Sequence, residues 1–206
     1  MRASIFHDIR TRPLTAPWPQ SASTHSALFR PPTAAAVRVA TVAGLAVIAL
    51  AAGATAEAPA GGCPPHGSAE GLAAANVWRA SGADCGTRGP HGPALPLRWD
   101  GALQAMAQAQ ATRLAADDPD QALHHRDARG RALLARADAA GLPWWRLAEN
   151  LARGQDSLAE LMQAWAASEG HCANLLDPRL SAAGLACVPA VDGRPVWVLV
   201  LAHLRS

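Results

Sequence analysis

The residues of this sequence whose types could do chemistry together fall between His125 and Asn174. They read His125, then Glu149-Asn150, then Ser168, His171, Cys172 and Asn174. Two neutral imidazoles and a carboxylate are three donors that suit Zn²⁺ and leave a fourth position for water, as in several hydrolytic zinc sites. On that reading His125 and His171 are metal ligands, and Glu149 is a ligand or general base. No HExxH spacing is present, so the local sequence does not build the site by itself.

Other chemistries fit less well. Ser168 lies one turn before His171, but nucleophilic catalysis needs an oriented base and an oxyanion hole, and no G-x-S-x-G marks a nucleophile. Cys172 beside His171 reads as half of a disulfide rather than a thiolate. The alternative to all of these is structural: His125, Glu149 and His171 form a hydrogen-bonded knot that holds loops, because buried polar groups need partners. Asn150 and Asn174 are residue types that fix loops through side-chain to backbone bonds.

The elements that would position these groups are mostly helical in the first part. From Ala69 to Ser81, Leu72, Asn76 and Arg79 fall on neighbouring turns, and Gly82 ends the helix. A Gly- and Pro-rich loop follows to Pro96. Asp100 is a fitting N-cap for a second helix carrying Trp99, Leu103, Met106, Gln110 and Leu114 on one face, with Pro119 past its end. A third helix is expected over 128–140, burying Leu133, Leu134 and Ala137 and ending at Gly141. Ser157-Leu158-Ala159-Glu160 is a capping box that opens a fourth, with Leu158, Leu161, Met162 and Trp165 on one face. That assignment accounts for Glu160 as a capping acid and Trp165 as core.

After Pro178, Ala182–Val188 and Val196–Leu201 read as strands joined at the turn pair Asp192-Gly193. The run VWVLVL is apolar on both faces, which predicts a central strand covered by helices on both sides.

The N-terminal part has a different character. Val39 to Ala52 is an uncharged, largely apolar run of 14 residues, preceded by Arg30 and Arg38 and followed by small residues. A spanning helix needs about 20 residues, so the run fits a signal-peptide core with cleavage after Ala56, not a stable transmembrane helix. Residues 1–56 are therefore assigned as an N-terminal extension and signal peptide, 57–68 as a linker and 69–206 as one domain. Pro13, Pro17, Pro19, Pro31 and Pro32 argue against folded structure before the apolar run. The rival to secretion is a lipid anchor at Cys63, in the faint lipobox Ala60-Gly61-Gly62-Cys63.

Five of the 18 basic and one of the 16 acidic residues precede position 57, which leaves 13 against 15 beyond it. That near-neutral balance recommends no nucleic acid partner. All four cysteines, Cys63, Cys85, Cys172 and Cys187, follow the signal segment, and an even count in an exported chain reads as two disulfides. Three pairings are possible. Cys85 with Cys172 and Cys63 with Cys187 is preferred because both would tie the N-terminal part to the later core and close long loops.

In order along the chain stand Asn76 and Arg79, Leu97-Arg98-Trp99-Asp100, His125 with Gly130, Arg136 and Gly141, Ala148-Glu149-Asn150, Trp165, Ser168-x-Gly170-His171-x-x-Asn174, and Gly184. This ordered set resembles the CAP superfamily of cysteine-rich secretory, antigen 5 and pathogenesis-related proteins, and in particular its short bacterial secreted branch. The resemblance implies an α+β fold, an α-β-α sandwich, with a surface cleft lined by two histidines and two acids. His125, Glu149 and His171 match three of these, and Asn150 and Ser168 would line the same cleft. Many eukaryotic members carry a Glu three residues after the Trp. This chain has Ser168 there, with Glu169 and Glu160 as the nearest substitutes, and Ala148 stands where Gly is more usual. The motif offsets place His125 rather than His124 in the cleft, leaving His124 as an exposed neighbour.

The resemblance further implies a secreted, monomeric binding module, without enzymatic activity, for a small apolar ligand, lipid or cell-envelope component. The alternative it leaves open is a metal-dependent hydrolase holding zinc at the His125, Glu149 and His171 cluster.

Overall fold

The computed structural model describes residues 4–5, 62–63 and 68–205. The expected signal core and its cleavage site lie outside the described residues. In chain order the elements are β1 (Ser4–Ile5), α1 (Ser68–Ser81), β2 (Ala83–Asp84), β3 (Pro90–His91), β4 (Arg98–Trp99), α2 (Gly101–Ala115) and α3 (Leu133–Ala139). They continue with β5 (Trp144–Arg153), α4 (Leu158–Ala166), α5 (Glu169–Leu176), β6 (Ala182–Pro189) and β7 (Pro195–Leu204). No described helix is long and apolar enough to cross a membrane.

The main sheet has the order β1-β5-β7-β6-β4. β7 pairs antiparallel with β5 on one side and β6 on the other. Its alternation divides the core as the two-sided apolar run requires. Val196, Val198 and Val200 pack with α2 and α3, through Leu103, Leu114 and Leu133. Trp197, Leu199 and Leu201 pack with α1 and α4, through Leu72, Leu161 and Trp165. The result is an α-β-α sandwich with β7 at its centre.

Gly184 permits the closest approach between the layers. A Cβ there would lie 2.1 Å from the backbone nitrogen of Gln104, so only a glycine lets β6 press against α2. Asp100 caps α2 as expected, accepting from the amides of Ala102 and Leu103. Ser157 caps α4 through the Glu160 amide, while the Glu160 carboxylate accepts from Asp156, one residue before the expected cap partner.

Several elements depart from the sequence reading. Trp99 is 40% exposed in β4 rather than buried with α2, because its strand pairs with β6 before the helix begins. The third helix starts at Leu133, not 128. The Asp127 carboxylate accepts from the amides of Arg129 and Arg131, and Gly130 adopts φ +73°, so these residues form a turn that cannot run into a helix. The loop before Pro96 holds the short β2–β3 hairpin. β5 and α5 are elements that the periodicity did not reveal. Ser4 and Ile5 lie in the segment expected to be unfolded, yet pair in parallel with Ala148 and Glu149. The outer edge of β5 carries backbone donors and acceptors that an extended peptide can meet.

Both preferred disulfides are present, Cys63–Cys187 and Cys85–Cys172, each with Cα atoms 5.6 Å apart. The first engages the Cys63 sulfur, which contradicts the lipid anchor weighed at that residue.

Candidate functional site

Glu149 and Asn150 are neighbours on β5, and strand geometry sends them to opposite faces of the sheet. Glu149 shares the face of Leu147 and Leu151, under α2 and α3. Asn150 shares the face of Ala148 and Ala152, under α1 and α4. β5 lies near the edge of the sheet, so the site straddles that strand instead of sitting on one face.

On the first face, His125 comes from the segment between α2 and α3, whose path is fixed by Gln110. Its side-chain amide donates to the carbonyls of His124 and Arg126 on either side of His125. His125 Nδ1 lies 2.8 Å from Glu149 Oε1, and Arg136 Nη2 donates to Glu149 Oε2 at 2.6 Å. Glu149 is 1% exposed. Burial alone would push its carboxyl up, but the hydrogen bond from His125 and the charges of Arg136 and His125 outweigh it and hold the group below the usual carboxylate range. Both carboxylate oxygens are therefore committed.

On the second face, His171 sits in α5 and is fully buried. Asn150 donates to the His171 carbonyl at 3.1 Å and accepts from the Asn174 amide at 3.0 Å, which fixes this part of the helix against β5. Neither ring nitrogen of His171 has a hydrogen-bond partner among the described residues. Burial, with the nearby charge of His125, pushes its pKa down to about 4, so the ring is neutral at neutral pH. A buried imidazole with two unspent nitrogens is the least satisfied polar group of the site.

The structure joins His125 to Glu149 directly, while His171 lies near enough to His125 for its charge to bear on the ring. Asn150, on the face of β5 opposite Glu149, is fully buried and latches α5 to the strand. Ser168 occupies the N-cap position of α5, and its hydroxyl makes no capping bond. No hydrogen bond joins Ser168 to either histidine among the described residues. Glu169, a candidate for the fourth acid, instead accepts from Thr87 through its amide and hydroxyl, and Glu160 is occupied at the start of α4. His124 points away, toward Asp117 and Arg113.

Arg136 was not among the expected site residues. Its signal lay in the sequence, since it occupies the buried stripe of α3 with Leu133 and Ala137, where a charge needs a partner. Among the described residues, no group of three or more His, Cys, Asp or Glu side chains is arranged to hold a metal ion.

No curated protein matches the chain at a significant level. The chain is similar to an outer surface protein of Borrelia burgdorferi, at 20% identity and a TM-score of 0.47 over 53% of this chain and 78% of that one. It is similar to an extracellular SCP-domain protein of Bacillus anthracis, at 20% identity and a TM-score of 0.45 over 53% of this chain and 34% of that one. A cysteine-rich secretory protein of Staphylococcus aureus aligns at 14% identity and a TM-score of 0.46 over 68% of this chain and 40% of its own. The model of the CAP, or cysteine-rich secretory protein, family matches residues 72–201, well over half of the chain, and the chain belongs to that family.

Proposed function

We propose that this is an exported binding module whose His125, Glu149 and His171 cluster forms one wall of a cleft for a small apolar ligand, lipid or cell-envelope component. The observation that carries this reading is His125: its ring keeps about a tenth of its surface exposed while Glu149, itself held by Arg136, fixes it from within. Glu149 argues for binding over catalysis. Its oxygens accept from His125 and from the buried Arg136, bonds that hold the ionised carboxylate as a fixed anchor for the His125 ring. The two disulfides suit folding in an oxidising compartment, which supports export. The protein is expected to act as a monomer.

A second reading, the zinc-dependent hydrolase, rests on the same ring. His171 and His125 would supply nitrogen donors and Glu149 an oxygen, but among the described residues these three are not arranged to hold a metal ion. The residues fit a three-ligand zinc site poorly, and no catalytic step is built on one.

Both readings are separated by titrating the neutral fluorophore N-phenyl-1-naphthylamine, and then Zn²⁺, into the purified protein and its His125→Ala variant. A saturable fluorescence rise weakened about ten-fold in the variant is the expected result. No saturable rise, or one the variant leaves intact, would refute the cleft. Zn²⁺ binding tighter than about 10 μM, lost in the variant, would favour the metal reading instead.

A further inference from the structure

We propose that the trough between α2 and α3 is a second binding site, for a small organic anion with an apolar body: a carboxylate or phosphate monoester on a short alkyl chain. The trough has a volume of about 580 Å³, within the range of small-molecule sites.

Its apolar walls are exposed alanines, with Met106 of the core at the floor. Ala102, Ala105 and Ala109 follow one another at helical spacing on α2, all exposed, where the outer face of an amphipathic helix ordinarily carries charge. Ala139 and Ala140 face them from the end of α3, and Met106 lines the trough between the two helices. Methyl groups on both sides make a smooth slot for a hydrocarbon chain.

Arginines furnish the polar part of the lining. Arg129, Arg131 and Arg136 all line the trough, together with a single carboxylate, Asp127. That carboxylate is already bonded to Arg131. Arg136 is 8% exposed and pairs with Glu149 through Nη2, while its Nε is buried with no hydrogen-bond partner. Arg129 makes no ion pair among the described residues. An unspent buried donor and an unpaired cation beside an apolar slot are complementary to an anion carrying a hydrocarbon tail. The inference stands apart from the cleft reading, although Arg136 touches both places.

The test is calorimetric titration of decanoate and of decyl phosphate, below their micelle-forming concentrations, into the purified full chain, with decanol and inorganic phosphate as controls. Saturable binding of either anionic amphiphile is expected, about ten-fold weaker in Arg129→Ala and lost in Ala105→Trp, whose indole would occupy the slot from an exposed helix position. Decanoate alone would identify a carboxylate ligand, and decyl phosphate alone a phosphate one; either supports the site. Binding of neither anion, equal binding of decanol, or undiminished binding by Ala105→Trp would overturn it. Ala105→Trp is also expected to keep its response to N-phenyl-1-naphthylamine, so failure of this site and failure of the cleft give different results.

Discussion

Replacing Arg79 by methionine should destabilise the protein by roughly 3 kcal/mol. Arg79 is fully buried, and its guanidinium is spent on carbonyl oxygens alone. Nε donates to Leu95 at 2.8 Å, Nη1 to Leu175 at 2.7 Å and to Asp177 at 3.2 Å, and Nη2 to Leu180 at 2.9 Å. One side chain of α1 thereby closes the end of α5, whose last carbonyls are orphaned by helix geometry and carry the negative end of its dipole. Methionine fills similar space and donates nothing. Three of the four bonds are buried, and stranding each of those acceptors costs about 1–2 kcal/mol, about 3–6 kcal/mol together, whereas largely exposed Leu95 can turn its carbonyl to water. Removing the buried charge returns part of that cost as desolvation, which leaves the net near 3 kcal/mol. Guanidinium unfolding followed by tryptophan fluorescence measures the change, since Trp165 and Trp197 are fully buried reporters. Arg79→Lys should fall between the two. A loss below about 1 kcal/mol in Arg79→Met, at unchanged denaturant dependence, would mean that the carbonyls find other partners and that this account of α5 is wrong.

Gly184→Ala should destabilise by about 2–3 kcal/mol in the same assay, because its Cβ would meet the backbone of Gln104 at 2.1 Å and force β6 and α2 apart; near-wild-type stability would refute the close approach. Stability should also fall as pH is lowered from 7 toward 4. His171 titrates near 6.5 when unfolded and at about 4 when folded, so acid protonates the unfolded chain first, and at pH 5 the loss reaches about 2 kcal/mol. His171→Gln should flatten that slope, and an identical pH dependence in the two proteins would show that the ring is not buried neutral.

How much of this was legible depended on where local pattern and tertiary context agreed. The VWVLVL run declared a central strand because every residue was apolar and many were β-branched, and Asp100 and Ser157 declared their helices through capping chemistry. β5 gave no such signal. Leu147-Ala-Glu-Asn-Leu-Ala-Arg153 is made largely of helix-favouring residues, and it becomes a strand because β7 offers a long antiparallel partner. α5 begins only three residues after α4 ends, too close for periodicity to separate the two. At the site, the pairing of His125 with Glu149 was visible only through family resemblance, since the two come from separate elements. The placing of Asn150 could have been read once β5 was known to be a strand, because alternation sends it to the face opposite Glu149.

The adjacency of Glu149 and Asn150 has a consequence for how the strand finds its place. With Leu147 and Leu151 on one face and Ala148 and Ala152 on the other, the segment would stay apolar on both faces after sliding by one residue along β7, exchanging Leu for Ala in each layer. The Glu-Asn doublet forbids it. After such a slip the carboxylate would enter the layer of Trp165 and Leu199 with no guanidinium to meet it, and the amide would face Arg136 in its stead. Burying the unpaired carboxylate would cost several kcal/mol. The same two residues that build the site therefore act as a register key, rejecting the misaligned pairing before the helices close over the sheet.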